Sequence, residues 1–180
     1  MNSLRKKMNK KILVIAILAL WIILIGGFIA YKEYALRTGE KVLLKTIPID
    51  PRDLFRGDYI VLRYEISNLN LDNFENKDLN ATENGFLYIS LKKEGKYWNT
   101  NNVYKDRPNE LSIKGRIKYK NGRNIEIEYG IESFFVPEGE GRELERHRNS
   151  RELDVGVSVD RFGNAVINNL YIDGKAWISP

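Results

Sequence analysis

From Ile12 to Tyr31 the chain runs for 20 residues without a charged side chain. As a helix that run is about 30 Å long, the thickness of the hydrocarbon core of a bilayer. Five basic residues precede it (Arg5, Lys6, Lys7, Lys10 and Lys11), with no acidic residue among them. Positive charge ahead of a first span holds the N-terminus in the cytoplasm. A cleaved signal peptide opens in a similar way, but its apolar core is about 7–15 residues and a small-x-small site follows it. Here the run is longer and no such site follows cleanly. The pattern therefore predicts an uncleaved signal anchor: a cytoplasmic basic tail over 1–11, a transmembrane helix over 12–31, a connector over 32–41 and an extracytoplasmic domain over 42–180. The expected location is the cell membrane, single-pass, with the C-terminal domain in the periplasm or outside the cell.

The formal net charge of +5 does not point to nucleic acid. Removing the five basic residues of the tail leaves 24 of the 29, against 24 acidic residues, so the domain beyond the span is neutral. A neutral domain lacks the electrostatic footprint that nucleic-acid binding requires. There is no cysteine and one histidine, His147. Disulfides, thiolate metal sites and thiol catalysis are excluded, and a histidine-rich metal site cannot be built. No cofactor is implied.

Beyond the span the pattern is mainly β. Val42–Ile47 reads as a strand ended by Pro48. Asp58–Ser67 reads as a longer one, with Ile60, Leu62, Tyr64 and Ile66 on one face and Tyr59, Val61, Arg63 and Glu65 on the other. Asn68–Asn84 reads as a loop, with one helical turn near Asp78. Strands follow over Gly85–Lys93, Lys96–Tyr104, Glu110–Lys120 and Asn124–Glu132, with a hairpin at Asn121-Gly122-Arg123. Gly115 suggests a bulge or a bend. Ser133–Val136 continues apolar to Pro137, and a short charged helix is expected near 140–151. Leu153–Asp160 and Ala165–Ile172 form a closing pair. Short strands with regular turns predict an antiparallel barrel or sandwich.

The densest stretch runs from Asp50 to Glu65. Asp50 suits the N-cap of one helical turn, Pro51 its first position, Asp53 the positive end of its dipole and Gly57 its left-handed stop. That leaves Arg52, Arg56, Asp58 and Tyr59 as candidate binding residues. The chemical alternative is a hydrolase or metal-dependent enzyme using the carboxylates of Asp50, Asp53 and Asp58. The two interleaved arginines offset most of that charge.

Gly57-Asp58-Tyr59-x-x-Leu62-x-Tyr64 matches the pattern of the GDYXXLXY family, fixing five residues in eight. The preceding Asp-Pro-Arg-Asp-Leu-Phe-Arg, the segment Phe135–Glu145 and the turn Gly163-Asn164-Ala165 resemble the same family. The resemblance implies a bacterial, membrane-anchored protein and suggests a polytopic membrane protein as partner. It carries no catalytic residues. By alternation Leu62 and Tyr64 are core positions, with the tyrosine hydroxyl reaching a buried partner, while Tyr59 covers a second apolar face or a groove. The anchor, the proline-containing turn and the Gly-Asp also resemble the opening of a signal-peptidase-like β domain, but no serine lies between Val42 and Gly57. The loop and helix from Glu138 to His147 read as a solvated face laced with ion pairs. The function expected is a binding or assembly module for a membrane or envelope partner.

Overall fold

The computed structural model describes residues 10–49, 59–74, 82–137, 139–150 and 152–178. The chain divides into two units, Met1–Tyr34 and Ala35–Pro180. Helix α1 runs over Lys10–Thr38, and its segment Lys10–Ala30 is long and apolar enough to cross a membrane. None of that segment is buried in protein, and Ile22 and Ile23 are about 70% exposed. Apolar surface on this scale is stable only where lipid or another protein replaces water.

The second unit is antiparallel β structure, as the turn spacing predicts. Its strands are β1 (Glu40–Lys45), β2 (Tyr59–Val61), β3 (Asn68–Asn70), β4 (Phe86–Glu94), β5 (Tyr97–Tyr104), β6 (Ser112–Asn121), β7 (Asn124–Glu128), β8 (Ser133–Phe135), β9 (Leu153–Val159), β10 (Ala165–Ile172) and β11 (Lys175–Ala176). A short helix α2 (Gly141–Asn149) stands between β8 and β9. The strands form a five-stranded sheet in the order β3-β7-β6-β4-β5, a four-stranded sheet β1-β9-β10-β11 and a ribbon β2-β8, giving a half-barrel around one core. Val42 and Leu44 of β1 register against Val157 and Val155 of β9, which puts all four on the inner face.

Two polar joints tie the four-stranded and five-stranded sheets together, and a third bond closes the start of the four-stranded sheet. The Gly163 carbonyl, at the tip of the β9–β10 turn, accepts from the Lys114 N–H of β6 at 2.8 Å. Gly163 has φ +86°, and a Cβ there would stand 3.0 Å from that same nitrogen. Buried Asp154 on β9 accepts from the Tyr97 hydroxyl at 3.0 Å and the Lys96 ammonium at 3.2 Å, holding β5 against the four-stranded sheet. Within the four-stranded sheet Thr46, just after β1, donates through Oγ1 to the Leu153 carbonyl of β9 at 2.5 Å.

Four expectations need correction. The strand expected over Asp58–Ser67 ends as a ladder at Val61. Beyond it the chain makes a single bridge between Tyr64 and Thr46, then a 3-10 turn over Glu65–Ser67. The expected loop Asn68–Asn84 begins with β3 and a second 3-10 turn, Leu71–Asn73. Gly115 is not a bulge. It pairs regularly with Leu87, and a Cβ on it would fall 2.2 Å from Ile127 Cγ2 and 2.9 Å from the Tyr129 ring, so it makes room for packing. The bulge lies three residues later, between Ile117 and Tyr119. Finally, β1 begins at Glu40, directly after α1 rather than after a connector reaching residue 41.

Candidate functional site

β2 carries the Tyr59 end of the motif. It registers Tyr59, Ile60 and Val61 against Phe135, Phe134 and Ser133 of β8. Ile60 is fully buried, and alternation sends Tyr59 and Val61 to the opposite face. There the Tyr59 ring lies 6.0 Å from that of Phe135, which is 78% exposed. On the inner side Phe134 meets Trp177 edge-to-face.

After Val61 the motif leaves one strand neighbour and picks up others. The Leu62 N–H donates to the Glu132 carbonyl at 2.8 Å, and the Arg63 carbonyl accepts from Ile47 N–H at 2.9 Å. Leu62 and Tyr64 are both buried. The Tyr64 hydroxyl donates to the Ile131 carbonyl at 2.5 Å, and the Tyr129 hydroxyl donates back to the Ile66 carbonyl. Two segments thus exchange phenol–carbonyl bonds, each supplying a ring and an acceptor. This explains the break in the expected strand. The Ile66 carbonyl, in the 3-10 turn, lies in no ladder and takes a side-chain donor instead. Burial, and secondarily the charge of Glu132, raise both phenols well above the usual tyrosine range. Both stay protonated and serve as donors.

Arg63, which follows Leu62, opens onto a cleft of about 290 Å³ whose walls include Val61, Lys118, Glu126, Glu128 and Glu132. Every carboxylate in it is engaged. Arg63 pairs with Glu126. Glu128 pairs with Lys118 at 2.8 Å and Arg116 at 3.2 Å. Glu132 accepts from the N–H groups of Tyr129 at 2.5 Å and Gly130 at 2.9 Å, fixing a turn in which Gly130 has φ +78°. The hydrogen bond from Lys118 holds the Glu128 carboxyl below its ordinary range, and the same bond raises the Lys118 ammonium. Neither carries a mobile proton near neutral pH. Glu128 and Lys118 present fixed, mutually compensated charge rather than an acid–base pair.

Helix α2 supplies the feature least visible in sequence. Arg148 is only 3% exposed, and its Nη1 donates to the Val61 carbonyl at 2.6 Å. Its Nε and Nη2 both donate to Asn149 Oδ1 at 3.2 Å. Desolvation lowers its pKa, and Glu145 partly opposes the shift. The helix was expected to be a solvated face, yet Leu144 and Arg148 are buried along one side of it, four residues apart. His147 is partly exposed, and its Nδ1 lies 2.7 Å from Glu152 Oε2.

Of the candidates chosen from sequence, Tyr59 is on the exposed face of the ribbon. Arg52, Arg56, Gly57 and Asp58, with Asp50 and Asp53 of the carboxylate alternative, lie outside the described residues. Among the described residues no group of three histidine, cysteine, aspartate or glutamate side chains could hold a metal ion. The sequence does not mark Tyr129 and Arg148, because each acts through a backbone carbonyl distant in the chain, nor Glu132, whose carboxylate binds N–H groups two and three residues back in a turn. The only signal was an apolar strand end, Ile127-Glu128-Tyr129, facing a motif tyrosine.

The family model described as GDYXXLXY protein matches residues 21–170. The chain belongs to the GDYXXLXY family. No curated protein and no solved structure matches it. In this GDYXXLXY protein the named tyrosines and leucine have separate duties. Leu62 and Tyr64 hold the core, whereas Tyr59, half-buried on the opposite face, packs beside the exposed ring of Phe135.

Proposed function

We propose that this GDYXXLXY protein is a binding module held at the cell membrane by α1, with its basic tail in the cytoplasm and its β domain on the far side. Its partner is a polytopic membrane protein that docks on the face built by Tyr59, Val61 and Phe135. One observation carries this reading: a motif residue forms an aromatic pair with a phenylalanine that is 78% exposed. An exposed aromatic ring costs solubility unless a partner covers it, and aromatic residues are the usual anchors of interfaces. The short tether from the span keeps the domain among membrane proteins. The engaged carboxylates of the neighbouring cleft favour binding over hydrolysis.

The test is a photo-reactive amino acid in place of Phe135, irradiated in native membranes, with Lys92 on β4 as the control position. The expected result is one adduct with a multi-span protein from position 135 and none from 92. Identical adducts from both positions, or none from either, would overturn the reading. Because the chain has no cysteine, a single Lys92→Cys variant reports orientation. A membrane-impermeant maleimide should label it in intact cells. Labelling only after lysis would place the domain in the cytoplasm.

A further inference from the structure

The outer face of the five-stranded sheet carries a second surface that the family motif does not touch. The register aligns Asn68, Glu126 and Tyr119 in one row across β3, β7 and β6, and Asn70, Asn124 and Asn121 in the next. Neighbouring strands are about 4.8 Å apart and alternate residues on a strand about 6.6 Å apart, so six side chains form a compact polar grid. The residues between them, Leu69 and Ile125, are buried in the core, which fixes the grid's direction outward. A depression of about 370 Å³ lies over five of the six, Asn121 excepted, is edged by Asn73, and shares only Glu126 with the charged cleft.

Tyr119 is on this surface because of the bulge. Ile117 registers with Ile127, and both are fully buried. Plain alternation would send Lys118 outward and Tyr119 back into the core. With Lys118 as the extra residue, Tyr119 instead registers with Glu126 and stands 55% exposed. Bulges that re-aim a side chain are concentrated next to functional sites. An aromatic ring turned away from the core, beside free amides, has no role in packing. The amides of Asn68, Asn73 and Asn124 make no hydrogen bond with any described residue. Asn70 has its oxygen on the Asp72 N–H at 2.8 Å. Glu126 is charge-compensated by Arg63.

We infer that this grid binds a neutral saccharide. A side-chain amide offers a donor and an acceptor side by side, which matches a hydroxyl and its neighbour on a sugar ring. The Tyr119 ring supplies a flat apolar face for the C–H side of the same ring. The compensated carboxylate gives no net charge to attract an ion. A shallow depression on a rigid sheet suits one or two units of a chain lying across it, and an oligosaccharide rather than a buried small molecule is the ligand.

The test uses the full chain in nanodiscs, titrated by calorimetry with fully N-acetylated chitotetraose and cellotetraose as probes, and with a neutral extended tetrapeptide. At least one tetrasaccharide should bind with a millimolar or tighter Kd, and the peptide should not. Tyr119→Ala should weaken that binding about tenfold, Asn124→Ala about threefold, and Tyr119→Phe should leave it within about a factor of two. Both positions are exposed, and an unchanged melting temperature will verify that the three variants fold. No binding of either saccharide, equal binding by Tyr119→Ala, or preferential binding of the peptide would each overturn the inference.

Discussion

Removing the hydroxyl of Tyr64 is the sharpest probe of how the motif holds this fold. Tyr64→Phe keeps the ring in a fully buried site and deletes one donor, leaving the Ile131 carbonyl without it. The lost bond and the stranded carbonyl together cost about 1–3 kcal/mol. Tyr129→Phe should cost about the same through Ile66. The two losses should not add, because either one loosens the same pair of segments and lets a freed carbonyl reach water. The double variant should therefore fall short of the sum by about 0.5 kcal/mol or more. Urea unfolding of the full chain in nanodiscs, followed by tryptophan fluorescence, measures all three. The pH dependence gives an independent check. Both phenols are raised well above the ordinary value in the folded state, so the folded state holds protons that the unfolded state gives up. That stability is fully present below about pH 10 and is lost as pH rises above it, at up to about 1.4 kcal/mol per pH unit for each tyrosine. Each substitution should remove one share of that slope. A Tyr64→Phe variant with wild-type stability at pH 7 and an unchanged alkaline slope would refute the exchange of phenol–carbonyl bonds.

Other outcomes follow from the same geometry. Gly115→Ala should lower stability by about 2 kcal/mol or more in the same unfolding assay, since its Cβ would sit 2.2 Å from Ile127 Cγ2 with a buried tyrosine ring behind it. Arg148→Ala should cost about 2–4 kcal/mol by losing the bond to the Val61 carbonyl and the packing of the stem; hydrogen exchange should show β2 opening first. Glu128→Gln should cost less than about 1 kcal/mol, because its pairs with Lys118 and Arg116 are largely solvated. The wild-type carboxyl titrates below its ordinary range, so its contribution is present above about pH 4.5 and is lost as pH falls through the lowered value. Acid unfolding curves of wild type and variant should converge there.

Sequence alone determined the features that depend on neighbours along the chain. The uncharged run had to be a helix without a core to enter. Asn121-Gly122-Arg123 had to turn β6 into β7, and Gly122 does so at φ +61°. Alternation put Ile60, Leu62 and Tyr64 inward, because a side-chain period of two survives even where the ladder breaks. The family followed from five residues in eight.

Tertiary structure decided what depends on partners far apart in the chain. Whether Glu65–Ser67 continues as strand or turns rests on a phenol 63 residues away from its acceptor. The burial of Arg148 rests on a carbonyl 87 residues distant. Local propensity carries no record of either contact. The same holds for the bulge: the glycine that marked a bend at 115 instead admits Ile127 and Tyr129, while Lys118 is the residue left over when Ile117 and Tyr119 take successive partners on β7. One unpaired residue turned an aromatic side chain from the core to the solvent, and only the paired strand shows which one it is.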